Sequence, residues 1–333
     1  MSENGKPKFA MYWAASCGGC EIAVLNINEK ILDVDANFDV VFWPVAMDAK
    51  YKDVEAMPDK SILLTLFNGG IRNEENEHLA KLLRQKSQIL VAFGSCATEG
   101  CIPGLANFSS KEQIFDAVYE GVSTDNPDHT RPQYNYDMPE GILHIPPFYP
   151  QLKTLDQVVD VDYFMPGCPP ESHQIAAVVE LVIKVLNGEA ELPPKGTVIG
   201  AGPSTVCDEC GRKRNVKTIT EFVRIHEIEN IDPELCLLEQ GILCNGPATR
   251  SGCSARCPAV GAACIGCYGP AEGVVDYGAR MMSAVASVID SKDPAEIDAI
   301  LDGIPDPAGS FYRFSLPHSL LRAGKSAWSN GNS

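Results

Sequence analysis

The chain has 333 residues, 45% of them hydrophobic, enough to bury the cores of two domains and too apolar for chain-wide disorder. A formal net charge of −17 argues against nucleic acid as a partner, because phosphate neutralisation draws on Lys and Arg. The opening MSENGKPKFAMYW has neither the apolar stretch of a signal peptide nor a twin-arginine pair, and no apolar run reaches bilayer length. We therefore expect a cytoplasmic protein without a membrane span.

Short apolar runs ended by Gly, Pro or Ser read as buried parallel strands over 8–15, 36–46, 61–70, 87–97 and 160–170. Helical patterns fall between them at 21–34, 73–86, 110–122 and 169–188, the last with Pro near its start and Gly at its end. Strands alternating with helices predict an α/β fold, a flavodoxin-like doubly wound parallel sheet of strand order 2-1-3-4-5. The stretch 123–150, rich in Asp, Asn, Pro and Tyr, reads as a long surface loop. A Gly/Pro-rich boundary at 187–204 separates a first domain, residues 1–195, from a second, residues 196–333. Residues 207–267 hold eight of the 13 cysteines and few apolar runs, so a small irregular Cys-rich domain is expected, too poor in core to stand by apolar burial alone. One helix over 272–290 and a polar, extended tail from residue 315 complete the reading.

In a reducing compartment, many cysteines in a large chain point to metal or catalysis rather than to disulfides. Cys17 and Cys20 follow the first strand, Cys96 the fourth and Cys168 the fifth, so all four leave from one carboxyl edge, where open α/β sheets bind ligands. Asn68 and Gly69 end the strand between them and are expected to offer backbone N–H groups. The loop before a helix, which elsewhere cradles phosphate, can cradle an anionic sulfur cluster here, helped by Gly18, Gly19 and the helix N-terminus. Taken alone, Cys17-Gly-Gly-Cys20 equally fits a thioredoxin-like redox pair; Cys96 and Cys168 turn the balance toward a soft four-thiolate site. In the second domain, chain order divides the eight cysteines into Cys207, Cys210, Cys236, Cys244 and Cys253, Cys257, Cys264, Cys267. Zinc competes with iron–sulfur for such sites; three soft sites in one chain favour an electron relay, since zinc is redox-silent. Arg212, Lys213, Arg214, Arg250 and Arg256 punctuate these sites and either offset cluster charge or are ordinary surface cations. Glu21 is expected to serve the first turn of its helix, Cys101 to be a small buried residue, and His173 to be structural.

The combination CGGCE, GSCA and PGCPPE resembles the small subunit of [NiFe] hydrogenases over nearly the whole chain. MYWAASCGGCEIAVLNINEKILDV and CDECGRKR look like the cytosolic methyl-viologen-reducing, or F420-non-reducing, type that associates with heterodisulfide reductase. The resemblance implies three [4Fe-4S] clusters: proximal on Cys17, Cys20, Cys96 and Cys168, medial on Cys253, Cys257, Cys264 and Cys267, and distal on Cys207, Cys210, Cys236 and Cys244. It implies no catalytic residue in this chain. Hydrogen is split at a Ni–Fe centre on a large-subunit partner, and electrons pass along the clusters to a small iron–sulfur subunit and a heterodisulfide reductase-type flavoprotein. A His ligand common at the distal site of membrane-associated relatives is Cys207 here, and the second cysteine that oxygen-tolerant relatives add to the first loop is Gly19. A zinc-stabilised interaction module and a quinone-reductase subunit of the complex I type are the alternatives; the latter shows adjacent cysteines in the first loop and lacks the Cys-rich second half.

Overall fold

The structure, a computed structural model, describes residues 5–214 and 219–321. The chain runs through β1 (Lys8–Trp13), α1 (Gly19–Leu25), α2 (Ile31–Asn37), β2 (Asp39–Phe42), α3 (Tyr51–Glu55), β3 (Ile62–Asn68) and the short β4 (Ile71–Asn73). It continues through α4 (Glu74–Lys86), β5 (Ser87–Phe93), the one-turn α5 (Ser95–Thr98), α6 (Lys111–Tyr119), β6 (Asn135–Met138), β7 (Gly141–His144), β8 (Phe148–Lys153), β9 (Tyr163–Met165) and α7 (Ser172–Leu186). The second half holds α8 (Val206–Glu209), α9 (Arg256–Ala259), α10 (Tyr277–Ala286), α11 (Pro294–Asp302) and α12 (Pro307–Tyr312).

Five strands form one parallel sheet in the order β2-β1-β3-β5-β9, the expected 2-1-3-4-5 arrangement. Side chains alternate across it. Leu64, Leu66, Val91 and Phe93 face a layer containing Val24 of α1, Val34 of α2 and Val182 of α7. Phe67, Leu90 and Ala92 face Leu79 and Leu83 of α4. Burial on both faces is why these strands read as unbroken apolar runs. Capping fixes helix starts: the Asn73 side chain accepts from the Asn76 N–H at 2.8 Å, and Ser110 and Gln113 form a reciprocal box.

Several expectations change. The helix over 21–34 breaks into α1 and α2, with Asn28 between them at φ 57°. The second strand shrinks to Asp39–Phe42, because α2 takes residues 31–37, and the fifth shrinks to three residues. The fourth strand ends at Phe93, since Gly94 turns at φ 80° and Cys96 lies on α5. Residues 123–150 are more than a loop: β6 and β7 form an antiparallel hairpin, and β8 pairs antiparallel with β4. The Cys-rich half carries a core of its own, in which Met281, Val285, Ile300 and Phe311 of α10–α12 pack with Phe222 and Leu238 from the irregular segments. Of these, α10 is shorter than the expected 272–290 helix and starts at the Asp276 cap. The tail does not fray at once: Leu316 is buried and Pro317 packs onto Gly100 and Gly104, while 322–333 lie outside the described residues. Among the described residues no helix is long and apolar enough to cross a membrane.

Candidate metal centres

The first thiol set sits where three loops leave the carboxyl edge of the sheet. Cys17 is exposed in the β1–α1 loop, and Cys20 is buried in the first turn of α1. Gly18, at φ 79°, lies under the Trp13 ring, where a Cβ would come within 3.2 Å of its carbons. Cys96 is buried on α5, and Cys168 follows Gly167. The two later loops are tied together: Ser95 N–H donates to Gly167 O at 2.8 Å, and Gly167 N–H donates to Ser95 Oγ at 3.1 Å. A Cβ on Gly94 would stand 2.3 Å from Cys20 Sγ, so this glycine makes the room that the sulfur occupies. Asn68 closes β3 between Trp13 and Phe93. Its carboxamide is fully buried, and neither its nitrogen nor its oxygen finds a partner among the described residues. The Asn68 side chain is thus an unsatisfied polar group at this edge, next to the Gly69 turn at φ 101°.

Cys101 is the small buried residue expected: it is 1% exposed, packs with Cys96, Cys168, Cys267 and Phe314, and its N–H donates to Phe314 O at 2.9 Å. The neighbouring Cys168 thiol pushes the Cys101 pKa up, and Cys101 in turn lowers that of Cys168. Glu21 lies in the first turn of α1, yet its carboxylate accepts from Trp43 Nε1 at 3.2 Å, and burial raises its pKa. His173 is exposed on α7.

In the second half, Cys207 has Cys244, Cys236 and Cys210 as charge neighbours, and Cys244 has Cys236 and Cys210. Beside them opens a cavity of about 520 Å³ lined by Cys207, Cys236, Cys244, Arg214 and Arg280. A Cβ on Gly246 would lie 3.0 Å from Cys207 Sγ, a second glycine cradle for sulfur. Cys267 neighbours Cys253, Cys168 and Cys257, while Cys264 neighbours Cys244 and Cys267. The sets adjoin in series. Cys168 and Cys267 pack together beside Cys96, Cys101 and Phe314, Ser95 Oγ donates to Cys267 O at 2.6 Å, and Cys264 N–H donates to Cys244 Sγ at 3.4 Å.

The cations divide by role. Arg212 donates to the carbonyls of Pro258, Asp232 and Leu235, and Arg250 to those of Pro270 and Gly202, so both hold loops. Lys213 pairs with Glu234 and Arg256 with Glu171. Arg214 lines the cavity and favours the Cys207 thiolate.

Burial pushes the Cys207 and Cys267 thiols up to about 12 and raises Cys20, Cys244, Cys253 and Cys264 as well. Such thiols ionise when a cationic centre supplies the compensating charge. Thiols gathered from separate loops, glycine cradles and N–H groups aimed at sulfur fit iron–sulfur clusters. Among the described residues no three Cys, His, Asp or Glu side chains close to the spacing of a single ion.

The family described as NADH ubiquinone oxidoreductase, 20 kDa subunit, matches residues 17–182, the part that holds the first thiol set. Whole-chain likeness lies elsewhere. The iron–sulfur subunit of the F420-non-reducing hydrogenase of Archaeoglobus profundus is 44% identical over 94% of this chain and 97% of its own. A subunit of the F420-non-reducing hydrogenase of Methanothermobacter marburgensis is 36% identical, covering 95% of this chain and 96% of its own. Among solved structures, the recombinant [NiFeSe] hydrogenase from Desulfovibrio vulgaris Hildenborough in the oxidized state covers 80% of this chain and 94% of its own. It does so at 16% identity and a TM-score of 0.51, a likeness of fold. The quinone-reductase alternative thus accounts for the first half alone. The chain belongs to the F420-non-reducing hydrogenase small-subunit family: an iron–sulfur, electron-transferring subunit that pairs with a large subunit carrying the catalytic centre.

Proposed function

We propose that this subunit holds three [4Fe-4S] clusters and works in the cytoplasm. It would relay electrons from hydrogen oxidation at the large subunit's Ni–Fe site to an iron–sulfur subunit and flavoprotein of a heterodisulfide reductase-type complex. Cys17, Cys20, Cys96 and Cys168 hold the proximal cluster, Cys253, Cys257, Cys264 and Cys267 the medial one, and Cys207, Cys210, Cys236 and Cys244 the distal one. Residues 1–195 and 196–333 act as the two cluster-bearing domains. The clusters supply one-electron carriers at potentials set by charge, hydrogen bonds and exposure.

The observation that supports this reading is the serial approach of the thiol sets, Cys168 packed with Cys267 and the Cys264 N–H donating to Cys244 Sγ. Taken with the chain-order partition, each set has its next neighbour through a pair of proposed ligands. The protein's part is positional: α1, α5 and the Gly167 turn fix the first set, and Ser95 locks it to the second. Arg214 favours negative charge at the third. The test is an iron and acid-labile sulfide count on the anaerobically purified pair of small and large subunits. About twelve sulfides per small subunit are expected, with about twelve irons besides the one at the Ni–Fe site; zinc without iron overturns the reading.

A further inference from the structure

The β6–β7 hairpin is an amphipathic ribbon whose apolar face is exposed beyond its base, where Lys111 lies over the Tyr134 ring and donates to its hydroxyl. Its register pairs Tyr136 with Leu143 and Met138 with Gly141, and the Ile145 N–H donates to Tyr134 O, adding one more pair at the base. Cross-strand partners share a face, so Tyr134, Tyr136, Met138, Leu143 and Ile145 all lie on one side. All five are exposed, Tyr136 at 55% and Leu143 at 59%. The other side carries Asn135, Asp137, Ile142 and His144, with His144 Nδ1 bonded to Asn135 Oδ1 at 2.6 Å. An isolated two-stranded ribbon is marginal in water, and one that keeps five large apolar side chains together and exposed is built to be covered.

The base of the ribbon is firm. The Arg72 guanidinium lies over the Phe148 ring at 4.3 Å, Phe115 packs against it with its ring tilted, and Asn107 clamps Leu152 through both N–H and C=O. β8 pairs with β4, the strand that leaves β3 beside Asn68 and the first thiol set. Thus the ribbon springs from the carboxyl edge of the sheet.

A second copy is the poorer occupant: a face of five side chains is small beside the ~800 Å² per partner that a stable dimer takes, and two chains of charge −17 repel. As an arm that extends a larger heteromeric interface, the same area suffices. We propose that the Tyr134–Ile145 ribbon docks through this face on the catalytic large subunit. The choice of that subunit rests on reading Cys17, Cys20, Cys96 and Cys168 as the cluster nearest the Ni–Fe centre.

The test uses the whole complex. With Tyr136 replaced by a photo-crosslinking phenylalanine derivative, irradiation of the assembled complex is expected to join this chain to the large subunit. Adducts to a second copy, to an electron-accepting subunit, or to nothing overturn the proposal. In parallel, the double variant Tyr136→Lys, Leu143→Lys is expected to lower recovery of the large subunit with a tagged small subunit roughly tenfold or more, at unchanged iron per small subunit. Asn135→Lys, on the polar face, leaves recovery unchanged; recovery equal across all variants contradicts the docking. Crosslinks do not depend on metal content, so a chain found to hold zinc defeats the cluster reading and leaves this test standing.

Discussion

Gly94→Ala isolates the cradle under Cys20. The native backbone here is φ 80°, ψ 157°, a region open essentially to glycine alone. An alanine there carries about 1–3 kcal/mol of strain before any contact is counted. Its Cβ would then stand 2.3 Å from Cys20 Sγ, where ordinary contact begins at 3.4 Å, so the sulfur must move by about 1 Å. Cys20 lies on the first turn of α1, packed with Phe93 and Met165, and cannot retreat without shifting the helix. We expect about four fewer irons per small subunit, with the second-half clusters intact, and a Tm lower by roughly 5 °C. Gly188→Ala is the control: Gly188 also has positive φ, 74°, but a Cβ there meets nothing within 4 Å. It should cost stability and no iron. Metal analysis with electron paramagnetic resonance on the anaerobic complex reads both. Full iron and an unchanged proximal signal in Gly94→Ala would falsify the placement of Cys20 as a ligand.

Cys168→Ser is expected to abolish hydrogen-driven reduction of both artificial dyes and the physiological acceptor, whereas Cys207→Ser should spare dye reduction and impair only the acceptor; equal losses contradict the cluster order. Asp162, buried, is held by Arg84 at 2.6 Å, by Lys195 and by the Leu90 N–H at 2.8 Å, and its pKa is lowered despite burial that acts to raise it. A depressed carboxylate stabilises above its unfolded pKa of about 3.9 and loses that contribution as pH falls through its folded pKa. Asp162→Ala should therefore cost about 3–5 kcal/mol at neutral pH and progressively less in acid, by denaturant melts. Burial pushes Glu99 up to about 7, so between its unfolded pKa near 4.3 and pH 7 its stability contribution falls as pH rises. Glu99→Gln should be stabilising at pH 8 and neutral at pH 4, and a pH-independent difference would refute the assignment.

The parallel strands were legible because burial on both faces leaves unbroken apolar runs, and each run stops at a residue that must turn, as at Asn68-Gly69 and Phe93-Gly94. The α1–α2 break was not, since Asn28 at positive φ interrupts a sequence with continuous helical periodicity. The ribbon was hidden by its four-residue strands and by surrounding Pro, Asn and Asp, which describe a loop equally well. The starts of α11 and α12 do carry a local signal, an Asp cap followed by Pro at Asp293 and Asp306. At the candidate site, the number of cysteines and their places after β1, β5 and β9 pointed to thiols meeting at the sheet edge, where the structure has Cys20 beside Gly94 and Cys96 beside Cys168. The cradle at Gly94, the unpaired carboxamide of Asn68 and the thiol of Cys101 turned against Cys168 depend on loops meeting across the sheet edge, which no local pattern encodes. The loop-holding roles of Arg212 and Arg250 escaped for the same reason: their carbonyl partners lie 20 to 48 residues away.

The most direct measurement is a redox titration of the anaerobic, hydrogen-reduced complex followed by Mössbauer and paramagnetic resonance spectroscopy. The account predicts that the small subunit's iron resolves into three cubane clusters, all reducible by hydrogen, with Cys168→Ser removing one and leaving two that hydrogen no longer reduces. Iron confined to fewer clusters, or zinc at any of the three thiol sets, would contradict it.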